Sequence, residues 1–394
     1  MAKTIAVNAG SSTLKFQLFD MPSEKVIAKG LVDRIGLAEG SFTISYGDGE
    51  HFKLEQPFKD HKVAISILLK ELIDLKIIDS FDEITGVGHR VVAGGEFFKD
   101  SVVINDDVLA KIDSLAEYAP LHNPANATGI RAFREVLPDA TAVAVFDTSF
   151  HTTMPEENYL YSIPYEYYEK FGARRYGAHG TSHRYVSHRA AEILGQPLDQ
   201  MKIITLHLGA GASIAAIENG KSIDTSMGFT PLAGITMATR SGDIDVSLVT
   251  FLQQKLGVTN PEAMIDMLNK KSGLLGISGI SGDMRDLENS DEHRAKLAIE
   301  IFINRIVKYV GSYIAEMGGV DALVFTAGIG ENAPEIRAAI TDAFNFMGIK
   351  IDAERNNVRG KETVISTDDS TAKVVLVPTD EELMIARDVE RLSK

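Results

Sequence analysis

The 394-residue sequence contains no cysteine and no tryptophan. Without a thiol there can be no disulfide framework, no thiolate zinc site and no cysteine nucleophile. No stretch approaches the roughly 18 apolar residues that a membrane-spanning helix needs. The opening MAKTIAVNAG lacks the charged, apolar and small-residue layout of a secretory signal, so the expected compartment is the cytoplasm. Positive charge is also scarce: 40 Lys and Arg stand against 55 Asp and Glu, a net charge of −15. Such a surface argues against nucleic-acid and anionic-membrane partners. Any anionic substrate must therefore meet a local cluster of cations inside a repelling shell.

Present instead is the composition of a globular chain, 44% hydrophobic and 24% charged with a mean hydropathy of −0.01. At about 150 residues per domain, the length allows two or three domains. Alternating Thr4–Val7, the turn at Asn8–Thr13 and a second alternating run, Leu14–Asp20, read as strand, hairpin and strand. A similar pattern returns about 200 residues later in Ile203–Leu208, a turn over Gly209–Ser213, and Ile214–Ile217. Repetition at half the chain length suggests a duplicated domain, not a solenoid. Helical spacing marks Lys62–Leu75, Ala295–Met317 and Glu381–Leu392, and apolar runs at Ala142–Phe146 and Ala322–Phe325 read as buried strands. Strands alternate with helices in both halves, so the expected class is α/β. The domain boundary is expected near residue 150.

Small residues cluster where chemistry could sit. The GxxxxGK[ST] phosphate loop is absent, but Gly10-Ser11-Ser12-Thr13-Leu14-Lys15 could offer backbone amides, hydroxyls and the Lys15 ammonium to a phosphate. An ordinary serine-rich hairpin would read the same way. Gly209–Ser213 is a second candidate, and Gly328–Asn332 a third, with Asn332 expected to cap a helix through Glu335. Three glycine-rich turns at strand ends point to a nucleotide cleft. Arg90 is expected just after a strand, Arg240 in a loop of small residues, and Asp147 at the end of an apolar strand. His179 and His183 stand four apart among glycines, which favours a loop over a metal-binding helix. Thr379 and Glu382 read as a capping box, which frees Glu381 to face a site. Ser12-Thr13-Leu14-Lys15 matches the SxxK of serine acyl-enzymes, but it lies between strands and no SDN follows.

Longer blocks are more specific. VNAGSSTLKFQLFD, GVGHRVVAGG, YAPLHNP, FDTSFHTTMP, RRYGAHGTSHRYV, HLGAGAS, DTSMGFTPLAG, TRSGDID, SGDMRDL, FTAGIGENAPEIR and PTDEELMIARD occur in this order along the chain. Together they resemble the acetate kinase (acetokinase) family of the actin- and hexokinase-like ATPases. The resemblance implies two duplicated RNase H-like α/β domains with a nucleotide cleft between them: residues 1–150, joined by the C-terminal helix 381–394, and residues 151–380 carrying most ATP contacts. It further implies a homodimer and reversible, Mg2+-dependent (or Mn2+-dependent) in-line phosphoryl transfer from ATP to acetate, giving acetyl phosphate and ADP.

Carried onto this sequence, the resemblance makes Asn8 and Glu381 the metal-site residues and Lys15, with Ser11 and Thr13, a phosphate contact. Arg90 and Arg240 become the carboxylate and transition-state arginines, His179 a stabiliser of the transferring group, and Asp147 the acid/base residue. His207, Leu208, Gly209, Ala210 and Gly211, then Asp283, Met284 and Arg285, then Gly328, Ile329, Gly330, Glu331 and Asn332 become nucleotide contacts. Val92, Leu121 and Pro231 would line a methyl pocket. The sequence departs from the family pattern at Ala93, Ala178, Ala210, Ala238 and Asp380.

Acetate, with a carboxyl pKa of about 4–5, is already ionised at neutral pH and needs no base. Asp147 is accordingly expected to orient an arginine or a metal-bound water. A propionate or butyrate kinase is the nearest alternative, and a non-metabolic actin-like ATP-binding protein the alternative from another class.

Overall fold

The structure is a computed structural model that describes residues 2–120 and 122–394. The methyl-pocket residue Leu121 lies outside the described residues. The chain divides into two compact units, Met1–Phe150 with Asp380–Lys394, and His151–Thr379.

The first unit is built on an eight-stranded sheet of β1 (Ala2–Ala9), β2 (Thr13–Met21), β3 (Lys25–Asp33), β4 (Ser41–Tyr46), β5 (Glu50–Glu55), β6 (Ile84–Val91), β7 (Val102–Val103) and β8 (Thr141–Phe146). Their spatial order is β5-β4-β3-β2-β1-β6-β8-β7. Alternation turns Leu14, Phe16 and Leu18 into one core, where the helix His61–Asp74 lays Ala64, Ile65, Leu68, Leu69 and Leu72. That helix starts where the Asp60 side chain accepts a hydrogen bond from the Val63 amide. The C-terminal helix Glu381–Leu392 covers the other face, with Ile385, Ala386 and Val389 against Ala6, Phe19, Val143 and Val145. Gly86 and Gly88 permit this approach: a Cβ on Gly88 would stand 2.2 Å from Ile385 Cγ2.

The second unit carries β9 (Lys202–Leu208), β10 (Ala212–Glu218), β11 (Lys221–Thr225), β12 (Ala322–Thr326), β13 (Thr363–Val364) and β14 (Lys373–Leu376), in the order β11-β10-β9-β12-β14-β13. The duplication seen weakly in sequence is plain here. In each unit a three-stranded antiparallel meander (β3-β2-β1, β11-β10-β9) is followed by two parallel strands (β6-β8, β12-β14) and an antiparallel edge (β7, β13). The fold is therefore mixed α/β with two sheets. The helix His293–Met317 packs Ala295, Ala298, Phe302, Ile306 and Val310 into the second core at helical spacing, and stops at left-handed Gly318.

Local expectations fail in four places. Arg90 lies within β6 and not after it. Gly328–Asn332 is itself helical, from Ala327 to Asn332; the Asn332 amide donates back to the Gly328 carbonyl, and Pro334 opens the next helix behind Ala333. Asn332 therefore caps nothing. The final helix is capped by Asp380, whose side chain accepts from the Leu383 amide, while the Thr379 hydroxyl meets Ser182. His183 sits in the first turn of the helix Gly180–Leu194, which begins directly after His179.

Candidate active site

Parallel strands in α/β sheets gather ligand-binding groups at their carboxyl ends. In the first unit those ends carry Asn8 in β1, Arg90 in β6 and Asp147 just past β8. Asn8 is paired in register with Lys15 across the β1–β2 hairpin, whose turn closes by the Gly10 amide donating to the Thr13 carbonyl at 2.8 Å. Ser11 and Lys15 are exposed, and Thr13 is half-buried.

Arg90 and Asp147 form the densest polar contact of this unit. Arg90 Nε donates to Asp147 Oδ1 at 3.0 Å and to Oδ2 at 3.1 Å, and Nη2 donates to Oδ2 at 2.6 Å. Both carboxylate oxygens are occupied by the fork, and the Asp147 side chain is only 2% exposed. Burial works against the Arg90 charge, but the carboxylates of Asp147, Glu381 and Glu382 outweigh it. Burial pushes the Glu381 carboxyl up to about 7; Arg90 and Lys15 oppose this, and Asp147 and Glu382 add to it. Glu381 is thus a half-buried acid whose charge is under-compensated, and a cation would relieve it.

Asparagines within YAPLHNPAN support the ends of β1 and β6. The Asn126 amide donates to the Ala9 carbonyl at 2.7 Å and its oxygen accepts from the Val92 amide at 3.2 Å. Asn123 accepts from the Ala93 amide and donates to the Ala93 carbonyl. Their i, i+3 spacing on one helix is the sequence signal for this support.

In the second unit His207 and Leu208 end β9, and the Gly209–Gly211 turn leads into β10. The Arg240 loop is stitched to this turn by the Ala238 amide donating to the Ala210 carbonyl at 3.1 Å. His179 and Arg240 converge on Gly211: a Cβ there would lie 3.5 Å from His179 Nε2 and 3.6 Å from Arg240 Nη1. A side chain at this position would fill part of the space between them at ordinary van der Waals contact. Burial disfavours the Arg240 charge, and Nη1 donates to the Pro231 carbonyl at 3.2 Å. His179 stacks on His207 with ring centres 4.2 Å apart.

The remaining nucleotide candidates divide by what their side chains already do. Leu208 and Met284 are buried in the core, which leaves their backbone to meet a ligand. Asp283 caps the helix Met284–Glu288 and takes Arg285, which holds its carboxyl down to about 2. Glu331 accepts from the amides of Ala327 and Thr379 at 2.9 and 3.2 Å. Gly328 and Asn332 are exposed, Ile329 is half-buried and Gly330 buried. Arg337, fully buried, ties Gly330 to the 356–358 segment through the carbonyls of Gly330, Asn356 and Val358.

A sequence profile described as the acetokinase family matches residues 3–387. The chain belongs to the acetokinase family. The acetate kinase of Enterococcus faecalis is 65% identical over 394 residues, covering 100% of both chains. The crystal structure of Porphyromonas gingivalis acetate kinase superposes with a TM-score of 0.96 at 47% identity. That of a propionate kinase from Francisella tularensis gives 0.92 at 43%, and both alignments cover 100% of each chain. Asp380, one of the departures noted in the sequence, caps the final helix through its side chain as an Asn would. Ala178 is buried, with its carbonyl accepting from His151 Nε2 at 3.0 Å, and Ala210 is exposed.

Proposed function

We propose that the protein transfers the γ-phosphoryl group of ATP to acetate, reversibly, to give acetyl phosphate and ADP. Membership of the acetokinase family carries this reading, and the site chemistry supports it. An acetate oxygen attacks the γ-phosphorus while the bond to the β,γ-bridging oxygen breaks, and ADP leaves. No proton has to move. The difficulty is to bring two anions together and hold them in line, which is a matter of positioned positive charge.

Arg90, its Nε and Nη2 taken by Asp147, is left with Nη1 to meet the acetate carboxylate. Asp147 in this reading fixes the guanidinium and carries no proton. Arg240 and His179 Nε2, both facing the Gly211 turn, stabilise charge on the transferring group. Lys15, Ser11 and Thr13 meet phosphate oxygens. The turn His207–Gly211, the Asp283–Arg285 segment and the Gly328–Asn332 helix hold the nucleotide, and Val92, Leu121 and Pro231 enclose the methyl group.

Among the described residues no three acidic or histidine side chains form a protein-only metal cage. Oxygen donors at Asn8 and the under-compensated Glu381 nevertheless fit a magnesium ion that takes most of its ligands from substrate phosphates and water. Bound there, the ion would neutralise phosphate charge. The two units, with the C-terminal helix joined to the first, are read as the two duplicated domains of the family, and the working protein as a homodimer.

The propionate kinase superposition favours one second reading, in which the longer acid is the better acceptor. One methylene in an apolar pocket is worth only about 1–3 kcal/mol, so both acids should react. The proposal is tested in the reverse direction. Acetyl phosphate and ADP with magnesium should yield ATP in a luciferase-coupled assay, and EDTA should abolish the signal; no ATP with metal present would refute it.

A further inference from the structure

A chain of hydrogen bonds runs inward from His179 through the second unit. His179 Nδ1 lies 2.8 Å from Ser213 Oγ, and the same Oγ lies 2.8 Å from His183 Nε2. On its other side, His183 Nδ1 lies 2.7 Å from Thr205 Oγ1. Ser213, His183 and Thr205 are all fully buried, on β10, on the helix Gly180–Leu194 and on β9. None of the three belongs to the contact set assigned above.

Counting protons restricts what this chain can do. A serine hydroxyl has one proton and cannot donate to two imidazoles, so Ser213 donates to one ring and accepts from the other. Burial holds His183 neutral, so that ring also has one N–H. Two arrangements remain. In the first, Thr205 donates to His183 Nδ1, His183 Nε2–H donates to Ser213, and Ser213 donates to His179 Nδ1. His179 then carries its proton on Nε2, the atom beside the Gly211 turn and Arg240 Nη1. In the second every donor is reversed, and a neutral His179 carries no proton on Nε2 to give to a phosphoryl oxygen.

Only the first arrangement gives a neutral ring a donor toward an anion. A doubly protonated His179 would also donate, but it would add a second cation at the Gly211 turn that Arg240 Nη1 also faces, which Coulomb repulsion opposes. We propose that Ser213, His183 and Thr205 are positioning residues that hold His179 in its Nε2–H tautomer, so that it donates to the transferring phosphoryl group without carrying charge. The inference rests on the role given to His179 above. Histidine sites commonly fix which ring nitrogen bears the proton through the bond made by the other.

The test combines kinetics with 15N NMR of the histidine side chains in the full-length protein. In the wild type with ADP and magnesium, His179 and His183 should both show the Nε2–H tautomer; an Nδ1–H tautomer at His179 would overturn the proposal. Ser213→Ala should lower kcat at least about tenfold while KM for acetate and ATP moves less than about twofold, the size typical of losing an orienting partner. Ser213→Thr, which keeps the hydroxyl at a strand position that suits it, should recover most of that loss. His179→Asn separates the two levels of the argument. If it is impaired and Ser213→Ala is not, the chain fails while the role of His179 stands; if His179→Asn turns over like the wild type, that role itself fails. Should Ser213→Ala not fold, Thr205→Val interrupts the chain at its far end, and the wild-type spectrum decides without any variant.

Discussion

At the scale of single residues, the contact between Arg90 and Asp147 bears on two chemistries, a positioning carboxylate and a proton-carrying one. Both oxygens of Asp147 receive N–H groups from one guanidinium, and the proposed reaction has no proton for the carboxylate to take, so the positioning role is assigned to it. Asp147→Asn should therefore misplace Arg90. The expected loss is roughly 30-fold or more in kcat/KM for acetate, equivalent to about 2 kcal/mol for breaking a desolvated charged pair. Added imidazole or azide should not restore the rate; rescue by such bases would identify Asp147 as a proton carrier. Among the described residues Arg240 makes no comparable pair, and its Nη1 reaches the Pro231 carbonyl and the Met237 sulfur. Arg240→Ala is expected to cost about a thousandfold in kcat, as for other arginines acting on a transferring phosphoryl group. The dissociation constant for ATP, measured by calorimetry, should change only a few-fold.

At the scale of elements, the site depends on how closely the C-terminal helix approaches β6. Gly88→Ala would place its Cβ 2.2 Å from Ile385 Cγ2 and 2.9 Å from Val389 Cγ2. Overpacking of this kind costs about 1–3 kcal/mol, which a drop in the unfolding temperature would register. Because β6 carries Arg90 and the helix begins with Glu381, KM for acetate should rise as well. Adding Ile385→Ala should relieve the clash, so the double variant should fall short of the sum of the two single losses.

Element positions were largely legible in the sequence because they depend on local periodicity. Thr4–Val7 and Leu14–Asp20 fall inside β1 and β2, and the spacing of Glu381–Leu392 matches the final helix end for end. Boundaries went astray where tertiary partners replaced local ones. Thr379 offers a capping hydroxyl, but Ser182 claims it, and Asp380 takes over the cap. The candidate side chains were named by long motif blocks. Their mutual contacts were not, since Arg90 and Asp147 lie 57 residues apart and His179 and Ser213 34 apart. Nothing in the spacing of the residues announces those pairs.

At the scale of the whole molecule, buried histidines govern how stability responds to acid. Burial holds His89 at about 3 and His151 at about 4, and places His183 well below the ordinary value of 6.5. Below 6.5 the unfolded chain takes up protons at these rings while the folded one does not, so stability falls with falling pH. Each ring contributes a slope of up to about 1.4 kcal/mol per pH unit through that window. Glu381 acts in the opposite sense between 4.5 and about 7, since its folded form holds the proton more tightly, and burial also raises Asp224, Glu288, Glu316 and Asp380 from their lower ordinary values. The three histidines, which titrate from 6.5 downward, are expected to outweigh them between pH 7.5 and pH 5.5. The urea midpoint should accordingly drop between pH 7.5 and pH 5.5, and a midpoint that rises would show that these rings are protonated in the folded state.

The net charge of −15 leaves the molecule dependent on a few well-held cations; in the proposed reading Arg90, Arg240 and Lys15 supply them for a small carboxylate and a metal-bound nucleotide, with His179 as a neutral donor. The most direct measurement is to trap the acyl phosphate as a hydroxamate, incubating the protein with ATP, magnesium and hydroxylamine and with acetate, propionate or butyrate in parallel. The account predicts hydroxamate from acetate with the highest kcat/KM, a weaker yield from propionate and less again from butyrate. No hydroxamate from any acid, or propionate ahead of acetate, would contradict it.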